Sequence, residues 1–283
     1  MKSVVVTGAS TGIGWGIAKV LVAKGFRVFG SVRKQADSDR LAAEFGPNFT
    51  PLLFDVTDAA AVDAAAQKVA TALGDQRLAG LVNNAGIAVP GPLLHLAIDE
   101  FRHQIEVNLT GQLIVTQAFA PLLGSVPGRA GAPGRIIMIS SVGGTSALPF
   151  IGAYNASKFA LEGLSESLRR ELMLFGIETV IVAPGVVATP IWDKAETIDV
   201  ARYADTPFAK GLDAIRNHML ASGRKGLKPE RLGEAVWRAL TVPKPRTRYL
   251  VTPDRIQNFL ANNLPKRMVD RMIAGRLGLA PPK

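Results

Sequence analysis

The fold of this 283-residue chain is narrowed most by the spacing of apolar residues across positions 1–190. Short runs rich in Val and Ile occur at Ser3–Thr7, Arg27–Val32, Thr50–Asp55, Gly80–Asn83, Arg135–Ser140 and Ile177–Ala183. Longer stretches lie between them, such as Ile13–Ala23, Ala59–Ala72, Asp99–Phe119 and Asn155–Phe175. Most of the short runs are apolar on both faces, as expected of strands covered on both sides. The longer ones carry the helical period. Strand and helix in alternation predict βαβ units, and hence a doubly wound parallel α/β sheet with helices on both faces. "RYLVT" (Arg248–Thr252) adds a seventh strand. No internal repeat or linker breaks the pattern, so residues 1–283 are expected to form a single domain.

Composition removes several function classes. Cysteine is absent, which excludes a disulfide framework, a thiolate nucleophile and a zinc–thiolate site. The start, "MKSVVVTGAS", lacks the form of a leader, and no apolar run approaches the ~18 residues of a membrane span. A cytoplasmic protein is expected. The net charge of +10 is unevenly placed: residues 224–283 hold 14 Lys/Arg against 4 Asp/Glu, whereas residues 1–223 hold 19 of each. A balanced core argues against nucleic acid as the partner, and the basic segment carries no reader motif or aromatic stacking run.

"TGASTGIG" (Thr7–Gly14) follows the first strand and opens the first helix. In such a turn Gly8 permits the tight bend, Gly12 lets backbone approach a pyrophosphate, and Gly14 lets the helix pack close on the sheet. The helix N-terminus offers an anion free N–H groups and partial positive charge. Further along, "AYNASKFALEG" places Tyr154 and Lys158 four residues apart on one helix face. A free phenol has a pKa of ~10, and a neighbouring cation favours its ionised form. The pair is therefore expected to be an acid–base group tuned toward neutral pH.

"TGxxxGIG", "NNAG" (Asn83–Gly86), "YxxxK" and "PG" (Pro184–Gly185), in that order, resemble the short-chain dehydrogenase/reductase family across roughly residues 3–190. The resemblance implies a Rossmann-type sheet, a nicotinamide cofactor and hydride transfer between a carbonyl and an alcohol. By the family's spacing the catalytic serine is Ser141, with Asn108 as the fourth member beside Tyr154 and Lys158. Asn108 would hold a water that relays protons to Lys158, which would also bond the nicotinamide ribose. The implied cofactor contacts are Gly8, Ser10, Thr11, Gly12, Ile13, Gly14, Arg33, Asp55, Val56, Asn84, Ala85, Gly86, Tyr154, Lys158, Pro184, Gly185, Val187 and Thr189. Val32 stands where NAD-type members carry an acid, and Arg33 where NADP-type members pair with the 2′-phosphate. Thr11 departs from the second basic residue of many NADP-type members. NADP is expected, with NAD as the alternative.

Residues 190–223 are expected to form a substrate lid supplying Trp192, Tyr203, Phe208 and Met219, with Leu148, Pro149 and Phe150 opposite. Implied substrate contacts are Ser141, Gly143, Tyr154, Gly185 and Trp192. This apolar set suits a lipophilic ketone or alcohol of steroid or retinoid bulk. The histidines His95, His103 and His218 have no metal-ligand spacing, so no metal is expected. The leading reading is an NADP(H)-dependent oxidoreductase forming a homodimer or homotetramer. The alternatives are an NAD-dependent dehydrogenase and a non-catalytic dinucleotide-binding scaffold. Residues 224–283 make a basic C-terminal segment with the end strand and an amphipathic helix from Pro265. There Met268, Val269, Met272, Ile273 and Leu277 recur at helical spacing among Lys266, Arg267, Arg271 and Arg276. That stripe suits either packing on the lid or a partner subunit, or peripheral contact with a membrane.

Overall fold

The computed structural model describes residues 1–190 and 201–280. Its strands are β1 (Ser3–Val6), β2 (Arg27–Val32), β3 (Phe49–Leu53), β4 (Gly80–Asn83), β5 (Arg135–Ile139), β6 (Glu178–Pro184) and β7 (Arg248–Val251). All pair in parallel in one sheet of order β3-β2-β1-β4-β5-β6-β7. The described helices are α1 (Gly12–Ala23), α2 (Gln35–Phe45), α3 (Ala59–Leu73), α4 (Ile98–Ile105), α5 (Gly111–Ala120), α6 (Gly152–Glu171), α7 (Ala209–Arg224), α8 (Glu230–Thr241), α9 (Arg255–Asn263) and α10 (Lys266–Leu277). The expected single Rossmann-type domain is the one observed.

Alternate residues of each central strand serve opposite faces, as the period of a strand requires. Val5, Phe29, Leu81, Ile136 and Met138 pack with Val62, Val69, Val115, Phe119 and Leu161 of α3, α5 and α6. Val4, Val6, Val28, Val82, Ile137 and Ile139 pack with Ile17, Leu21, Leu232 and Val236 of α1 and α8. Helices α1 and α8 meet through glycine on both sides. A Cβ on Gly16 would strike Pro229, and one on Gly233 would strike the Gly16 carbonyl and Val20. A third, smaller cluster joins Phe150 to Tyr203, Leu212 and Ile215, with Phe208, Met219, Leu277 and Leu279 against it.

Four features depart from the periodicity reading. Helix α2 buries only Ser38 and Leu41, too few apolar positions to display a period. Helix α8, which does bury Leu232, Val236, Ala239 and Leu240, lies inside the basic segment and went unread although its apolar stripe is well separated from its charges. The single helix expected over Asp99–Phe119 is interrupted by a π-helical turn, Glu106–Thr110, with Asn108 at its centre. Such turns recur at functional sites. The stripe on α10 also divides: Val269, Ile273 and Leu277 are half-buried, while Met268 and Met272 face outward.

The strand order reverses between β1 and β4, which opens a crevice at the carboxyl ends of the strands. Every motif of the sequence lies on that edge.

The glycines make the packing testable. A Cβ on Gly14 would run into the Gly8 carbonyl and the Asn84 amide, whereas one on Gly163, exposed within α6, meets nothing within 4 Å. Gly14→Ala should therefore destabilise by about 1–3 kcal/mol, and Gly163→Ala should stabilise by about 0.5–1 kcal/mol. Urea unfolding of the two variants against wild type checks both signs.

Candidate active site

The glycine turn is held from behind. Thr7 Oγ1 accepts from the Asn84 and Ala85 amides at 2.9 and 3.0 Å, and the Gly8 amide donates to Ser31 Oγ at 2.9 Å. Asn84 Nδ2 donates to the carbonyls of Thr7 and Gly8 at 2.8 and 3.2 Å. The Asn84 side chain thus holds the turn in shape. Gly8 and Gly12 have φ of +65° and +59°, the left-handed region that glycine enters without strain. A Cβ on Gly12 would meet the Thr189 side chain at 3.2 Å. Thr11 begins α1 without a side-chain cap, and no acid sits in its first turn. Its leading N–H groups suit an anion, and the cradle fits a dinucleotide pyrophosphate.

Ser10, Thr11, Gly12, Arg40, Pro190 and Pro229 border a cleft of about 530 Å³ on one flank of this turn. Ser141, Tyr154 and Lys158 are not part of it. Arg40 comes from α2 and donates to the Ser10 carbonyl at 2.6 Å. Its guanidinium is also ion-paired to Asp37 at 3.1 Å and to Glu44 at 3.4 Å. Arg33, at the end of β2, has a side chain 67% exposed and lies 3.4 Å from Asp55 Oδ2. Burial works to raise the Asp55 pKa, but hydrogen bonds from Thr57 and the Arg33 charge outweigh it and hold the carboxyl below its ordinary value.

On the opposite side of the crevice, β5 ends at Ile139 and delivers Ser140 and Ser141. Ser141 Oγ accepts from the Gly143 amide at 3.0 Å and lies near enough to the Tyr154 phenol to favour its ionised form. Ser140 Oγ is buried and has no hydrogen-bond partner. Lys158 is buried, donates to the Ile139 carbonyl at 2.8 Å and lies 5.8 Å from the centre of the Tyr154 ring. The structure therefore brings Ser141, Tyr154 and Lys158 together.

The electrostatics differ from the sequence expectation. Burial pushes the Tyr154 phenol up from its ordinary value, and Ser141 only partly opposes this. Burial also pushes the Lys158 ammonium down to about 8, against the opposing charge of Glu162. Burial thus works against ionisation of Tyr154, the reverse of what its spacing from Lys158 alone predicts.

Asn108 is held firmly in its π turn. Its Oδ1 accepts from the Ile87 amide at 2.8 Å, and its Nδ2 donates to the Ile87 carbonyl and Ser157 Oγ, both at 3.0 Å. These contacts fix the "NNAG" segment to the helix that carries Tyr154, whose carbonyl accepts from Ser157 Oγ at 2.7 Å. The side chain's observed work is positioning. A Cβ on Gly86 would meet Asn108 Oδ1 at 3.2 Å, and Gly185, after Pro184, leaves no room for a side chain against Thr252. Val56 is a buried core residue, Ile13 packs on the α1 face of the sheet and Val187 pairs in register with Leu227. Trp192 lies outside the described residues. Tyr203, Phe208 and Met219 pack in one cluster with Phe150. Phe150 has φ +66°, a strained backbone for a bulky residue. His103 and His218 are exposed and His95 packs on Phe208; no metal-ligand cluster occurs among the described residues.

Two residues absent from the sequence reading underlie the catalytic helix. Glu162, one turn beyond Lys158, is ion-paired to Arg248 of β7 at 3.2 Å. Arg248 also reaches the Ser141 carbonyl at 3.5 Å. Their signal was the fixed spacing of Lys158 and Glu162 on one helix face.

A Rossmann-type sheet with a Ser–Tyr–Lys cluster beside a glycine cradle defines a nicotinamide-dependent oxidoreductase. The short chain dehydrogenase family profile matches residues 2–198, and the chain belongs to that family. It is 38% identical to an NADPH-dependent 3-dehydrocapnine reductase of Ornithobacterium rhinotracheale, over 96% of each chain. It is 31% identical to mouse (Mus musculus) retinol dehydrogenase 16, over 96% of this chain and 87% of that one. A solved serine dehydrogenase in complex with NADP+ superposes with a TM-score of 0.73 at 25% identity, covering 89% of this chain and 94% of that one.

The depressed Lys158 pKa has a consequence for stability. The unfolded chain binds its proton more tightly, so folding buries an unfavourable charge below about pH 8 and is relieved of it as pH rises toward ~10. Lys158→Met should therefore raise stability at neutral pH by on the order of 1–3 kcal/mol while removing activity. Denaturant unfolding at neutral pH and near pH ~10 should show the gain shrink with pH.

Proposed function

We propose that this protein is an NADP(H)-dependent carbonyl reductase, reversible as an alcohol dehydrogenase, acting on a lipophilic substrate. The observation that carries the reading is the buried Lys158 ammonium, held by the Ile139 carbonyl and 5.8 Å from the Tyr154 ring, at the strand end that delivers Ser141. A bound nicotinamide supplies or accepts the hydride. Ser141 Oγ and the Tyr154 hydroxyl are suited to hold a carbonyl oxygen together. Tyr154 donates its proton to that oxygen as negative charge develops there. Lys158 then faces the resulting phenolate and stabilises it. Asn108 keeps Ile87 and Ser157 in register beneath these groups.

NADP is supported by Arg33 at the end of β2, where Val32 offers no carboxylate, and by Arg40 beside Ser10. Guanidinium against phosphate is a strong planar match. The NADPH-dependent relative and the NADP+ complex support the same reading. NAD is the second reading, favoured by the Asp55 carboxylate that already engages Arg33. A lipophilic substrate is supported by Leu148 and Pro149 in the loop after Ser141 and by the retinol dehydrogenase relative. Exposed Ile98, Phe159 and Met173 support a homodimer or homotetramer.

Two variants test the reading. Tyr154→Phe should keep the fold and cofactor affinity yet lower turnover by ~10²–10⁴, read by steady-state assay with NADPH and a ketone panel. A rate near wild type would remove Tyr154 from the proton step. Arg33→Ala should weaken NADPH far more than NADH in fluorescence titrations. Equal losses would show that Arg33 does not read the phosphate.

A further inference from the structure

Helix α9 is amphipathic in the reverse sense. Its apolar residues Ile256, Phe259 and Leu260, at i, i+3 and i+4, face outward, with Ile256 78% and Phe259 65% exposed. Its half-buried positions are Asn258, Ala261 and Asn262. A surface helix normally turns these faces the other way. After Leu264 and Pro265, α10 adds exposed Met268 and Met272 while its half-buried Val269, Ile273 and Leu277 face inward, Leu277 joining the lid cluster. The inner face of α10 is therefore satisfied, and the outer apolar residues of both helices are not.

The charge around these residues identifies what covers them. Arg255, Lys266, Arg267, Arg271 and Arg276 lie on the same two helices, accompanied by Asp254 and Asp270. Among the described residues none of these five cations is ion-paired. Residues 224–283 carry the whole net charge of +10. A second copy docking through a two-fold axis would set this basic surface against itself. An anionic lipid surface does the opposite: headgroups meet the cations while Ile256, Phe259, Met268 and Met272 enter the headgroup–acyl boundary. We propose that α9 and α10 dock this protein peripherally on an anionic bilayer. Among the described residues no helix is long and apolar enough to cross a membrane, so the contact is with one leaflet.

The docking stands apart from the proposed reaction, and its test needs no turnover. The full chain is sedimented with vesicles of phosphatidylcholine alone or of equimolar phosphatidylcholine and phosphatidylglycerol. It should bind the anionic vesicles, weaken with added salt and leave the neutral ones unbound. Lys266→Gln/Arg267→Gln/Arg271→Gln should lower affinity about 100-fold, and Ile256→Ser/Phe259→Ser/Met272→Ser at least about ten-fold. These side chains are exposed, and unfolding midpoints near wild type should confirm that both variants fold. Failure of the full chain to bind anionic vesicles at low salt would overturn the proposal. So would undiminished binding by both variants. If the serine variant instead lowers the lipid-free oligomeric state in light scattering, the face belongs to a second copy of the chain.

Discussion

The Lys158 ammonium sits inside the protein with the Ile139 carbonyl as its partner, and a buried cation of this kind persists only where its surroundings are built around it. Much of the architecture on this side of the sheet answers that need. Strand β5 must end at Ile139 for its carbonyl to be available, and the same ending delivers Ser141 to Tyr154. Glu162 lies one helical turn from Lys158 and opposes the effect of burial on its charge. Arg248 holds Glu162 from the last strand of the sheet and reaches the backbone of Ser141 as well. The end strand therefore closes an electrostatic chain as well as a sheet edge.

The other side of the crevice rests on backbone geometry instead of charge. Gly8 and Gly12 adopt left-handed conformations, and Thr7 and Asn84 spend their side chains on keeping them there. A pre-shaped cradle avoids the entropy of ordering a loop when a ligand arrives. Asn108 joins the two sides through Ile87 and Ser157, and the π turn around it sets the side chain at the meeting point.

Much of this was legible in the sequence, for identifiable reasons. Strands buried on both faces leave continuous runs such as "SVVV" and "RIIMI", which need no knowledge of their neighbours. The glycine turn, the Tyr154–Lys158 pair and the "PG" after β6 are local patterns with local causes. The remainder depends on contacts across the chain. Arg40 reads as a solvated helix residue until α2 is seen folding back on Ser10. Glu162 and Arg248 are separated by 86 positions, so only the sheet reveals their pairing. The rise of the Tyr154 pKa reflects how much protein surrounds the ring, a quantity that sequence spacing does not contain. One apolar pattern was read correctly as a helix but not as to which side faces in: α10 divides its stripe, while α9, with its apolar face outward, went unread.

Phe150 carries a further consequence. A phenylalanine held at φ +66° stores backbone strain of order 1–3 kcal/mol, sustained by its packing among Tyr203, Leu212, Ile215 and Phe208. Its carbonyl also accepts from the Gly91 amide at 2.7 Å. The shape of the loop after Ser141 is therefore held by side chains that arrive from much further along the chain, and through Leu277 the last helix packs on the same cluster.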